Sequence, residues 1–137
     1  MQYWLMKSEP SAYSWDQLVK DGKTFWSGVR NYQASNNLKA MKKGDHAFFY
    51  HSNEGLAVVG ICEIAKEYYP DHTDKAGKFG MVDVKPVAPF KQPVTMAEIK
   101  ATPELKDMVL VKNSRLSVQP VTAAEWKAVC KMGGVKA

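Results

Sequence analysis

In the stretch TFWSGVRNYQA, Thr24 to Ala34, the residues Trp26, Gly28, Arg30 and Asn31 fall within six positions of one another. Tryptophan offers a large π-face, glycine lets backbone come close, arginine carries a rigid fork of donors, and asparagine both donates and accepts. A flat ligand with a hydrogen-bonding edge and a nearby anion uses all four. A nucleobase turned out of its stack is such a ligand, since it needs an aromatic wall and donors and acceptors at the rim. On this reading Trp26 is the wall, Gly28 allows close approach, and Arg30 and Asn31 supply phosphate and edge contacts. Two plainer readings stay open: Trp26 packing the core, and Asn31 capping the helix that follows.

Three further segments join aromatic or apolar residues to compact polar groups: YWLMKSEP, FFYHSNEG and SRLSVQP. Lys7, Ser8 and Glu9 follow an apolar strand, either at the mouth of a cleft or at a solvated strand end before Pro10. Tyr50, His51 and Ser52 end a strand at a hairpin, with Tyr50 also readable as core and His51 as rim. Asp71 suits pairing with an arginine or accepting from a base amino group. Arg115 and Ser117 share one face of an expected short strand, where Leu116 and Val118 suggest a partly buried guanidinium.

The net charge of +5 and the pI of about 9.1 favour an anionic partner without requiring one. Of the 19 Lys and Arg residues only Arg30 and Arg115 are arginine, both among small polar residues, in GVRN and NSRLS. Catalytic signatures are missing: the chain has no G-x-S-x-G, Walker A, H-E-x-x-H or G-x-G-x-x-G pattern. His46, His51 and His72 lack metal-ligand spacing, so no catalytic residue, metal or cofactor is assigned. His51 and Ser52, as strand neighbours, point to opposite faces, which disfavours a nucleophilic pair. Cys62 and Cys130 read as buried free thiols. No apolar run reaches the ~20 residues of a membrane span and no signal-peptide pattern is present, so the expected setting is the cytoplasm, with no membrane partner.

The elements that must position these residues are legible from their punctuation. A single domain over residues 1–137 is expected from the length. Ser14 with Gln17, Thr95 with Glu98 and Thr122 with Glu125 have capping-box spacing, stapled by Tyr13 with Leu18, Val94 with Ile99 and Val121 with Trp126. A fourth helix is predicted from about Tyr32 to Lys42, with Gly44 as its stop. Strands are predicted at Tyr3–Met6, His46–His51, Leu56–Tyr68, Met81–Val87 and Leu116–Val118, with Pro86 and Pro89 breaking the fourth. Ser52–Gly55 reads as a hairpin connection and Tyr69–Gly80 as a polar loop. This mixed order, without regular βαβ alternation, indicates an α+β fold with a small closed or strongly curled sheet.

Taken in order, the four polar–aromatic segments resemble the EVE domain, a PUA-like family that includes the thymocyte nuclear proteins and is related in fold to YTH and ASCH domains. YPDHT at Tyr69–Thr73 and MVDV at Met81–Val84 extend the likeness over essentially the whole chain. The resemblance implies a PUA-like small β-barrel of five or six strands with flanking α-helices, and a pocket for a modified nucleobase. The short loop at Asp74–Lys78 resembles the compact bacterial form. Nothing in the chain resembles the nuclease or helicase modules fused to some EVE domains.

The expected function is a non-catalytic nucleic-acid-binding module, monomeric, that reads a modified DNA or RNA base. Two alternatives remain: an enzyme acting on a nucleotide-like small molecule, and a general RNA-binding PUA-like module without a base pocket. Turnover distinguishes the former, and base-by-base selectivity the latter.

Overall fold

The computed structural model describes residues 1–53 and 55–136. Along the chain run β1 (Tyr3–Ser8), α1 (Trp15–Asp21), β2 (Thr24–Phe25), α2 (Tyr32–Ala40), β3 (His46–His51), β4 (Ala57–Pro70) and β5 (Gly80–Thr95). Then follow α3 (Met96–Ala101), a 3-10 turn at Pro103–Leu105, α4 (Val109–Lys112), β6 (Val118–Val121) and α5 (Ala123–Gly133). The strands form one six-stranded sheet in the order β2-β5-β4-β3-β1-β6. All neighbours are antiparallel except β1 and β3, which run parallel with Lys7 opposite Tyr50 and Ser8 opposite His51.

The α+β class and the six strands agree with the sequence reading, but the sheet is not closed into a barrel. Its edges are β2, only two residues long, and β6, four residues long, which are too short to complete a hydrogen-bonded circuit. Helices cover both faces instead, which explains why the central strands are apolar on both parities. Trp4, Met6, Ala47 and Phe49 pack with Leu18 of α1 and Leu38 of α2. The alternating residues Leu5, Phe48 and Tyr50 pack with Ile99 of α3, Leu110 of α4 and Trp126 of α5. Trp126 stacks on Phe48 with ring centroids 3.9 Å apart, so it belongs to the core.

The helix starts follow their caps. Thr95 and Thr122 form complete reciprocal capping boxes with Glu98 and Glu125. Ser14 accepts from the Gln17 amide, but the Gln17 side chain turns to Asp21 at 2.8 Å, leaving that box half made. Helix α2 ends at Ala40, two residues short of the expected Lys42, and Ala34, Leu38 and Met41 are all buried.

Two further expectations need correction. Pro86 and Pro89 do not end β5, which continues to Thr95. Among the described residues β2 pairs with β5 only at Asp83 and Val84, leaving the later outer edge without a strand partner, and the register with β4 shifts at Val58/Gly60 and Ile61/Cys62; proline is tolerated at such edges and bulges. Arg115 and Ser117 precede rather than occupy the last strand, which starts at Val118. Arg115 sits exposed in a turn, because the polar run KNSR offers a chain reversal and Leu116 alone is buried there. The Ser52–Gly55 connection does join β3 to β4, with Asn53 at φ 67° and Gly55 at φ 58°; its Glu54 lies outside the described residues.

Candidate functional site

The end of β1 separates two adjoining clefts. The Lys7 amide donates to the Ser117 carbonyl on one side, and the Ser52 amide donates to the Ser8 carbonyl on the other, both at 2.9 Å. Consecutive strand residues face opposite ways. Ser8 Oγ donates to the Tyr13 carbonyl at 2.6 Å, on the side of the first cleft, whereas Lys7 Nζ donates to the Ser114 carbonyl, on the side of the second. The first cleft, about 570 Å³, is bounded by Ser8, Tyr13, Phe25, Trp26, Ser27 and Gly28. The second, about 460 Å³, is bounded by Tyr50, Ser52, Leu56, Met96, Arg115 and Ser117. Lys7 and Glu9 line both.

Trp26 reaches the first cleft from a mostly buried position. It is 8% exposed and its ring meets Phe49 edge-on at 5.5 Å, so core packing and cleft lining coincide in one residue. Its neighbour Phe25 is 49% exposed, with His72 edge-on at 4.8 Å, and presents the more accessible aromatic surface.

Gly28 is needed for its backbone: φ is 86°, a left-handed conformation, while the space a Cβ would fill is open. Its amide donates to Asp71 Oδ2 at 2.8 Å, and Arg30 Nη1 reaches the same oxygen at 3.1 Å. Arg30 also donates to the Val29 carbonyl at 3.1 Å and to Thr73 Oγ1 at 2.9 Å, and its guanidinium lies 5.7 Å from the Phe79 ring centroid. The expected arginine partner of Asp71 is therefore Arg30, whose side chain remains 40% exposed while that of Asp71 is fully buried. Burial pushes the Asp71 carboxyl up, but hydrogen bonds from the Thr73 hydroxyl, the Gly28 and Thr73 amides and Arg30 together hold it well below the usual carboxylate range. Asn31 is the N-cap of α2, accepting from the Ala34 amide at 3.0 Å.

On the second side, Tyr50 is core, 1% exposed, and burial raises its phenol pKa. Lys7 Nζ lies 5.6 Å from the Tyr50 ring centroid, and burial lowers its pKa. His51 is turned inward from the rim: its Nε2 accepts the Trp15 amide at 3.1 Å, satisfying a donor at the start of α1. Burial lowers its pKa, opposed by the charge of Asp16. Fully buried Gln119 fixes the turn that carries Arg115, donating from Nε2 to the Leu116 carbonyl at 2.8 Å and the Asn113 carbonyl at 3.2 Å.

Elsewhere the chemistry is sparse. Cys62 and Cys130 are buried free thiols, pushed up by burial to about 12 and about 11. Among the described residues no group of three or more His, Cys, Asp or Glu could hold a metal ion, and no helix is long and apolar enough to cross a membrane.

The sequence profile of the EVE domain matches residues 2–132. The chain belongs to the EVE domain family. Human thymocyte nuclear protein 1 is 39% identical over 164 residues, covering 95% of this EVE domain chain and 73% of the human protein. The solved structure of Rpa0253 from Rhodopseudomonas palustris is 60% identical and superposes with a TM-score of 0.93 over 98% of this chain and 94% of that one. The crystal structure of human THYN1 in complex with DNA containing 5-methylcytosine is 37% identical, with a TM-score of 0.92 and full coverage of both chains. A YTH domain from Zygosaccharomyces rouxii, 20% identical with a TM-score of 0.60 over 99% of this chain and 86% of that one, shares the fold.

Within this EVE domain the structure brings Lys7, Ser8, Glu9, Trp26 and Gly28 together at the first cleft, and Tyr50, Ser52, Arg115 and Ser117 at the second. Arg30, Asn31, His51 and Asp71 instead brace the walls. Sequence reasoning missed Tyr13, Phe25 and Ser27 in the first cleft, and Leu56, Met96 and Ser114 in the second.

Proposed function

We propose that this EVE domain binds nucleic acid and seats a modified nucleobase in the first cleft without transforming it. The observation that carries the reading is the human relative's complex with 5-methylcytosine DNA, made by a chain that superposes over the full length of this one. The chemistry of the first cleft supports it. Phe25 and Trp26 offer aromatic surface for stacking. The Ser8 hydroxyl already donates its hydrogen bond to the Tyr13 carbonyl, so toward a ligand Oγ acts as an acceptor, suited to an exocyclic amino group. Lys7 and the net charge of +5 suit the phosphate backbone. The volume of about 570 Å³ is of the size that small-ligand pockets take.

The test is a binding screen with short oligonucleotides, each carrying one modified base, against unmodified controls of the same sequence. Tighter binding of one modification, with the oligonucleotide recovered unchanged by mass spectrometry, is the expected result. Equal affinity for all would point to a general nucleic-acid-binding module, and a chemically altered base to an enzyme.

A further inference from the structure

The second cleft stands apart from the aromatic wall and has a different character. Its polar groups are the cations Lys7 and Arg115, the carboxylate of Glu9, the hydroxyls of Ser52, Ser114 and Ser117, and the amide of Asn53, with Leu56 and Met96 also lining it. Among the described residues Arg115 makes no hydrogen bond or ion pair, in contrast to Arg30, whose fork is held by Asp71 and Thr73. The turn beneath Arg115 is nevertheless fixed, since Gln119 grips it from inside the core. An exposed guanidinium that no described residue engages, on a braced turn beside hydroxyl donors and a half-buried ammonium, puts two cations against the one carboxylate of Glu9, an arrangement for a tetrahedral anion.

We propose that the second cleft is the subsite for the phosphodiester and sugar of the nucleotide next to the one whose base occupies the first cleft. The proposal rests on the base-reading function. Because Lys7 and Glu9 line both clefts, a strand leaving the first cleft over the end of β1 enters the second directly. Arg115 and Ser117 take the phosphate, Ser52 and Asn53 face the sugar, and Leu56 and Met96 cover its apolar side. Arg115 then supplies affinity without base preference, and base selectivity stays with the first cleft.

The probe is a single-stranded hexamer with one central 5-methylcytosine, in three forms: all-phosphate, neutral methylphosphonate on the 5′ side of that base, and neutral methylphosphonate on its 3′ side. Each is titrated against wild type, Arg115→Ala and Ser117→Ala, with the cytosine hexamer as control and melting as a check on folding. One of the two neutral linkages is expected to weaken wild-type binding about tenfold, the scale of a charge-assisted contact, and to have no further effect in Arg115→Ala. Arg115→Ala should also lower the slope of log affinity against log salt by about one phosphate's worth, while the preference for 5-methylcytosine over cytosine persists in all variants. If that preference persists but neither linkage matters, or linkage and Arg115 effects simply add, the subsite is overturned and the base reader stands. If the wild type shows no preference between the two bases, the reading of 5-methylcytosine fails and the subsite placed beside that base falls with it.

Discussion

Asp71 Oδ2 accepts the Gly28 amide at 2.8 Å, tying the Asp71–Phe79 loop to backbone that forms one wall of the first cleft. With Arg30 and Thr73 on the same carboxylate, this loop and the TFWSGVRN segment form a single braced unit. Asp74 adds a second anchor inside the loop, accepting the amides of Ala76, Lys78 and Phe79.

Asp71→Asn should therefore destabilise the fold by about 1–3 kcal/mol, because a buried set of charge-assisted hydrogen bonds loses its charge. Urea denaturation at neutral pH measures it. The sign with pH follows from the depressed carboxyl: its contribution is fully present above the unfolded value of ~3.9 and is lost as pH falls through the lower folded value. The Asn variant should lack that acid-sensitive component. Unchanged acid sensitivity would show that other carboxylates govern it.

Phe25→Ala and Trp26→Ala should separate binding from folding. Phe25 is half exposed, so its loss should weaken binding of the preferred oligonucleotide by about 1–3 kcal/mol, the usual value of one stacking contact, with little change in melting. Trp26 is buried against Phe49, and its truncation should cost about 3–5 kcal/mol of stability. Paired melting and titration on the same preparations decide it; the reverse pattern would place the stacking surface on Trp26.

His51→Gln should remove one source of acid destabilisation. Nε2 must be unprotonated to accept the Trp15 amide, and burial lowers the folded pKa. The folded state then binds fewer protons than the unfolded one, so stability falls as pH drops below ~6.5 and levels off under the folded value. Denaturation midpoints from pH 7.5 to 5 in wild type and His51→Gln should diverge in slope. Parallel curves would mean that His51 does not titrate on folding.

Gly60→Ala should destabilise the protein although its backbone is extended. A Cβ there would stand 2.7 Å from the Trp15 ring, itself buried and packed edge-on against Phe49. Overpacking of this kind costs about 1–3 kcal/mol. Trp15→Leu in the same chain should relieve part of that loss, and a thermal denaturation series of the single and double variants measures the rescue.

Local chemistry was readable in the chain itself. Thr95 and Thr122 start helices because a hydroxyl three residues before a glutamate satisfies orphan amides wherever it occurs, and Asn31 caps α2 by the same local rule. His46–His51 is a strand at the expected residues, but that its two faces are covered by helices, in place of a closed sheet, was not read from the chain. The six EVE-like segments likewise carried the family. What tertiary structure alone decided is which side each polar group faces and what it meets there. His51 satisfies Trp15 from 36 positions away, Arg30 closes on Asp71 across 41, and Lys7 reaches Ser114 across 107. No local spacing encodes such meetings, because they depend on sheet order. The parallel pairing of β1 with β3, and its antiparallel pairing with β6 along the other edge, bring Lys7 between Tyr50 and Ser117 and divide what read as one pocket into two clefts.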